Sequence, residues 1–290
     1  MAQADNRTPY RLVALDIDGT VVDAAQRVSG ELKDVLALLT ELGVRTVLCT
    51  GRRWRTAVPV LEELEHVHPV VVCCGGALIK RADDERTLHA VPLKDATARL
   101  AGDLFRQAGL VPMFLYDRPL SGTELLLPAA SRERAEGLPY VEANREACAW
   151  FEGDYPDTDE APLVVYCMDV EGEVRAAEPV VRAGLARKAI VEVMRQARYG
   201  ADQVALEAHA PEATKWQALK WLLARWELEP AQVVAVGDDV NDIPMLRAAG
   251  LSFAMGNASE EVKAAASAVT GRNDEHGVAQ ALRSVFCRGE

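Results

Sequence analysis

The strongest constraint in this sequence is a recurring pattern, in which a short apolar run stops abruptly at acidic or small polar residues. Arg11–Leu15 runs into Asp16, and Val44–Cys49 runs into Thr50-Gly51-Arg52. Gln232–Val236 runs into Gly237-Asp238-Asp239-Val240-Asn241-Asp242, and Leu251–Met255 into Gly256-Asn257-Ala258. Val70–Cys74 is a further apolar run. Short continuous runs of this kind suit the strands of a parallel sheet that is buried on both faces. Between the first two, Ser29 is placed to cap a helix carrying Leu32, Val35, Leu36 and Leu39 on one face, and Gly43 to stop it. Thr214–Trp226 reads as a second such helix. Strands joined through helices at this spacing make βαβ units, so the expected fold class is α/β, with a doubly wound, Rossmann-like parallel sheet. Ligands of such sheets bind beyond the carboxyl ends of the strands. The polar residues of this chain gather there.

The middle of the chain has a different rhythm. His89–Pro92 and Met113–Tyr116 read as short strands flanking an amphipathic helix with Leu100, Leu104, Phe105 and Ala108. An acidic, irregular stretch follows from 128 to 162, then a strand at Leu163–Met168, a helix over 179–197 and a strand leading to Glu207. This block is expected to be a separate α+β domain over 83–203, inserted into a core built from 1–82 and 204–290.

Charge excludes some partners. Lys and Arg total 32 against 44 Asp and Glu, a net charge of −12, which repels nucleic acid and anionic membranes at long range. No apolar run reaches the roughly 18 residues of a membrane-spanning helix. The polar N-terminus lacks the apolar stretch of a secretory signal, so a cytoplasmic protein is expected. The six cysteines show no C-x-x-C spacing and read as buried, reduced thiols. Oligomeric state has no signal in the sequence.

The chemistry resides at the strand ends. Asp16 and Asp18 flank Ile17 directly after the first strand, and residues i and i+2 of an extended segment point the same way. Two close carboxylates need a cation or a shared proton between them. Such a pair suits a nucleophile and a general acid/base. Thr50 and Gly51, at a strand-to-helix junction, offer donors to a phosphate oxygen. Asp238, Asp239 and Asp242 place three carboxylates within five residues, which calls for a hard cation such as Mg2+. Arg52, Arg53 and Arg55 form a basic cluster beside the second strand, either an ordinary charged helix start or a local attractor for an anion. Trp216, Trp221 and Trp226 fit helix packing better than ligand stacking.

The order Asp16-x-Asp18-Gly19-Thr20, Thr50-Gly51-Arg52, Lys215 and Gly237-Asp238-x-x-Asn241-Asp242 resembles the haloacid dehalogenase superfamily of phosphatases. The α+β insertion resembles the type II (IIB) cap of its Cof-like members. Met255-Gly256-Asn257-Ala258 and 273–279 are similar to later signatures of that group. The resemblance implies Asp16 as nucleophile and Asp18 as acid/base, with Thr50 and Gly51 at the phosphate. Lys215 would neutralise charge there. Asp16, Asp18 (through its backbone carbonyl) and Asp238 would bind Mg2+, Asp242 would bind it through water or orient Lys215, and Asn241 would support either the phosphate or Lys215. Three positions depart from the family pattern: Gly75 stands where asparagine is frequent, Trp216 where glycine follows the lysine, and His276 where aspartate is frequent.

The expected function is therefore a Mg2+-dependent phosphatase acting on a small phosphorylated metabolite, of the sugar-phosphate kind, through an aspartyl-phosphate. The alternatives are a hexose-phosphate phosphomutase or other phosphoryl transferase, and a non-catalytic phosphometabolite-binding module. Substrate choice is expected to come from the inserted domain.

Overall fold

The first strand, β1 (Leu12–Asp16), is buried along its whole length, as a run of Leu, Val, Ala and Leu between two helical layers must be. It begins the fold of a computed structural model that describes residues 8–287 apart from 65, 66, 68, 121, 197 and 198. The polar segment 1–7 and Ala197 therefore lie outside the described residues. Helix α1 (Gly30–Glu41) follows β1, with the Ser29 hydroxyl accepting from the Leu32 N–H at 3.3 Å and Leu32, Val35, Leu36 and Leu39 buried. Then come β2 (Arg45–Cys49), α2 (Trp54–Glu62), β3 (Val70–Cys73), β4 (Leu78–Arg81) and β5 (Thr87–Ala90).

The intervening segment forms α3 (Asp95–Gln107), β6 (Met113–Leu115), β7 (Leu125–Pro128), α4 (Arg132–Glu136), α5 (Pro139–Ala143) and β8 (Cys148–Phe151). It continues through β9 (Val164–Val170), α6 (Glu171–Leu185), β10 (Ile190–Arg195) and β11 (Gln203–His209). The chain ends with α7 (Lys215–Trp226), β12 (Val233–Gly237), α8 (Ile243–Ala248), β13 (Leu251–Ala254), α9 (Glu260–Ala265), β14 (Ala268–Val269) and α10 (Gly277–Phe286). No helix among the described residues is long and apolar enough to cross a membrane.

Two units result, one of Met1–His89 with Thr214–Glu290 and one of Ala90–Ala213. The boundaries fall at 89/90 and 213/214 rather than 82/83 and 203/204. The reason at the second boundary is pairing. β11 hydrogen-bonds antiparallel to both β9 and β10, so residues up to 209 belong to the sheet of the second unit.

The first unit carries an eight-stranded sheet in the order β14-β13-β12-β1-β2-β3-β4-β5. β1 is central and parallel to both β2 and β12. Only one side of each strand contributes to any one packing layer. Leu12 and Ala14 of β1, Val47 and Cys49 of β2 and Val233 and Ala235 of β12 meet Leu219, Leu222 and Leu223 of α7 in one cluster. Asp16 is next in that alternation, which aims it toward α7. Trp216, Trp221 and Trp226 pack partly buried against the same cluster, and His89 stacks on Trp221 at 4.8 Å.

The second unit has a six-stranded sheet, β10-β11-β9-β6-β7-β8, antiparallel except for the β7–β8 pair. The helix expected over 179–197 is instead α6, which ends at Leu185, followed by a strand. Ala186, at φ +46°, breaks the helix, and Ile-Val-Glu-Val then alternates as a strand against β11. The stretch expected to be irregular holds two short helices and β8, because Leu125–Pro128 offers β8 a partner.

On one face of this sheet Glu207 lies directly across from Glu192 on β10 and Tyr166 on β9, and buried His209 lies two residues further along. His209 Nε2 is 3.6 Å from Glu192 Oε2. Burial pushes the Glu207 carboxyl up from 4.5 to about 8, with Glu192 adding to the rise and His209 opposing it. Burial alone would lower His209, but Glu192 and Glu207 outweigh it and hold the imidazole above its usual value of 6.5. Both groups bind protons more tightly when folded. The stability they contribute is full below their unfolded values and drains away as pH rises through the folded ones. Thermal unfolding between about pH 5 and about pH 9 is expected to show a decline that flattens in Glu207→Gln by on the order of 2 kcal/mol, since the group is half-buried. Parallel pH curves for the two proteins would refute this.

Candidate active site

The carboxyl ends of β1, β2 and β12 bring the expected residues together. Asp16 is the last residue of β1, and Lys215 is the first of α7. Thr214 caps that helix, accepting from the Gln217 N–H at 3.2 Å. Lys215 Nζ donates to Asp16 Oδ1 at 2.6 Å, Asp242 Oδ1 at 2.7 Å and Asn241 Oδ1 at 2.9 Å. An ammonium has three N–H donors, and all three are matched. The three charged side chains are almost dry, at 2% exposure for Lys215, 6% for Asp16 and 0% for Asp242.

Asp242 is fixed from behind. Its Oδ2 accepts the backbone N–H groups of Asp238 at 3.0 Å and Asp239 at 3.1 Å. Asp238 is held by the Thr20 hydroxyl at 2.9 Å and by Asn257 Nδ2 at 3.4 Å. Asn257 also donates to the Gly19 carbonyl at 2.9 Å. Asn273 accepts no such role from its spacing, yet its N–H donates to Asn257 Oδ1 at 3.1 Å and its Nδ2 to the Val22 carbonyl at 2.9 Å. The two late signatures thus brace the turn after β1. Spacing does not single out Thr20, Asn257 and Asn273 as site residues, and membership in the motifs is their only signal in the sequence.

Two glycines are forced by close approach. Gly19 has φ +76°, and a Cβ there would sit 2.2 Å from Asp238 Oδ2. Gly76 has φ +125°, and a Cβ would lie 2.3–2.6 Å from the backbone of Thr214, beside Lys215. Gly75 is also left-handed, at φ +65°, but has open space where a side chain would project.

Thr50 is fully buried. Its hydroxyl accepts the Arg52 N–H at 3.0 Å, and its carbonyl accepts the Gly75 N–H at 3.0 Å. Gly51 follows it at the corner. Asp18 has a partner of its own. The strand ends at Asp16, so the i, i+2 alternation stops there, and the Asp18 side chain is 54% exposed in a bidentate pair with Arg52.

Among the described residues one acidic group could hold a metal ion. Asp16, Asp238 and Asp242 each offer an oxygen within 4.8 Å of the others. The set is all carboxylate, which suits a hard divalent cation such as Mg2+. Burial pushes Asp238 up to about 6, the Thr20 hydroxyl opposes the rise, and Asp242 and Asp239 add to it. Burial also raises Asp16 well above its usual range, against the pull of Lys215. Burial disfavours a charged Lys215, but Asp16 and Asp242 outweigh that and keep it protonated. The side chain of Asp18 lies outside this trio.

A family profile described as haloacid dehalogenase-like hydrolase matches residues 13–282. The phosphatase YwpJ of Bacillus subtilis is 29% identical, covering 95% of this chain and all of that one. The pyridoxal phosphate phosphatase YbhA of Escherichia coli is 25% identical, covering 94% of this chain and 98% of that one. A crystal structure of a haloacid dehalogenase-like hydrolase from Bacteroides thetaiotaomicron superposes with a TM-score of 0.76 at 26% identity, covering 96% of this chain and all of that one.

Removing the central cation should be costly. Lys215→Met leaves Asp16 and Asp242 buried without their partner, and the expected loss in metal-free buffer is about 3–5 kcal/mol. Urea unfolding measures it, and a loss below about 1 kcal/mol would show that the ammonium does not neutralise the pair.

Proposed function

The chain belongs to the haloacid dehalogenase-like hydrolase family, and from that premise we propose that it is a phosphatase for a small phosphorylated metabolite, of the sugar-phosphate kind. The observation that carries the proposal is the buried contact of Lys215 with Asp16 and Asp242, with a second carboxylate, Asp18, two residues beyond Asp16. A dry aspartate beside a fixed ammonium is arranged for attack on a phosphorus atom and for the charge that builds during transfer. The named relatives are phosphatases, which supports the reaction class.

In this reading an oxygen of Asp16 attacks phosphorus and the bond from phosphorus to the ester oxygen breaks. Asp18 supplies the proton that the departing oxygen takes. A water oxygen then attacks the phosphorus of the aspartyl-phosphate, its proton passes to Asp18, and the bond to Asp16 breaks. The Thr50 hydroxyl and Gly51 N–H donate to phosphate oxygens, Lys215 neutralises charge, and Asn241 orients Lys215 at 2.9 Å. Mg2+ would be held by Asp16, Asp238 and Asp242, with the Asp18 carbonyl as a further donor, and would supply positive charge to the transferring phosphoryl group.

The test is phosphate release from p-nitrophenyl phosphate and a panel of phosphorylated metabolites. Wild-type activity is expected to vanish with EDTA and return with Mg2+, and Asp16→Ala should fall to background, a loss of at least about a thousandfold. Metal-dependent turnover surviving in that variant would overturn the proposal. Isomerised product from a sugar bisphosphate without phosphate release would favour a mutase.

A further inference from the structure

We infer that Arg52 is the positioning residue for Asp18, an inference that rests on the acid/base role just proposed. Asp18 presents both carboxylate oxygens to one guanidinium, Oδ2 to Nε at 2.8 Å and Oδ1 to Nη2 at 2.6 Å. This is the parallel two-bond geometry that fixes direction as well as distance, and lysine cannot reproduce it.

The guanidinium is itself held. Nη2 also meets Gln26 Oε1, Nη1 donates to the Thr56 carbonyl at 3.2 Å, and the Arg52 N–H is bound to the Thr50 hydroxyl. Four of its five N–H donors (Nε, both on Nη2, one on Nη1) are committed inside the protein. An arginine so occupied is poorly placed to act as the principal phosphate ligand. It serves as a fork between the T-G-R corner and the segment after β1.

The exposures are unequal in a telling way. The Arg52 side chain is 10% exposed and that of Asp18 54%. An exposed carboxylate ordinarily samples several orientations, and a surface ion pair between two mobile side chains contributes little. Here one partner is immobilised beforehand, so the ordering of Asp18 falls on a single short side chain. Gln26, which completes the clamp, sits at φ +62°, a conformation uncommon for a residue with a Cβ. The loop holds that conformation while its side chain reaches Arg52.

The test is a double-mutant cycle on kcat and KM. Arg52→Ala is expected to lower kcat about 10–100-fold with KM changed less than about threefold, since misdirecting a reacting group by an ångström costs that much. Asp18→Asn should lower kcat further, and adding Arg52→Ala to it should cost nothing more. Additive losses, or an effect confined to KM, would overturn the inference in favour of direct phosphate binding. Should Arg52→Ala fail to fold, Arg52→Lys keeps the charge without the fork and is expected to show the same non-additivity. A crystal structure of either variant in which the Asp18 carboxylate keeps its orientation overturns the inference whatever the activity. An inactive wild type, by contrast, would count against the phosphatase reading.

Discussion

A buried ammonium between two buried carboxylates is the interaction on which the rest of this structure depends. Each of these charges alone would be prohibitively expensive in a dry site, and each becomes tolerable only through the others. Lys215 also stands at the positive end of a helix, where the dipole opposes a cation and where the first turn has no acidic residue of its own. Its placement therefore makes no sense as helix design. It is explained by Asp16, 199 residues earlier, and Asp242, 27 residues later. The contact locks the two halves of the first unit together across the whole intervening segment. It also dictates local detail, down to a Gly76 whose missing Cβ lets the backbone of Thr214 approach.

The sheet of the first unit was legible because its strands are unbroken apolar runs, a signal that survives without knowledge of neighbours. Boundaries agreed within a residue or two: β1, β2, β12 and β13 lie where the apolar runs stop. The second unit was less legible for a physical reason. Ile-Val-Glu-Val-Met-Arg carries both helical and strand periodicity, and only pairing with β11 decides it. That pairing connects residues the chain alone does not bring together. The same holds for the site. Residue types at strand ends pointed to Asp16, Asp18, Thr50, Gly51, Asp238 and Asp242, and the family resemblance added Lys215 and Asn241. Which of them touch was another matter. The braces Thr20, Asn257 and Asn273 act through backbone carbonyls and carboxylate oxygens up to 251 residues away, and no spacing rule reports that.

The net charge of −12 takes on a more specific meaning in this setting. Part of it is concentrated where Asp16, Asp238 and Asp242 converge, and burial first, with the neighbouring carboxylates adding to it, raises the proton affinity of Asp16 and Asp238. A divalent cation among these oxygens would favour their charged forms. The acidity that repels nucleic acid at long range is, at this one place, compatible with a phosphate, given a cation, Lys215 and backbone amides.

The two aspartates after β1 show how environment can divide labour between identical groups. Alternation along a strand would have placed them side by side, competing for one cation. The strand stops at Asp16 instead, and each carboxylate acquires a cation of its own from a different segment. Asp16, at 6% exposure, is held by Lys215, and Asp18, at 54%, by Arg52. The proposed nucleophile is thus the dry one, where electrostatic stabilisation is strongest because water cannot screen it. The proposed acid/base is the wet one, where the water whose proton it takes can reach it. Exchanging the two environments would leave the nucleophile solvated and the proton carrier away from water. Ending the strand after Asp16 is therefore what lets one short motif supply two chemically different carboxylates.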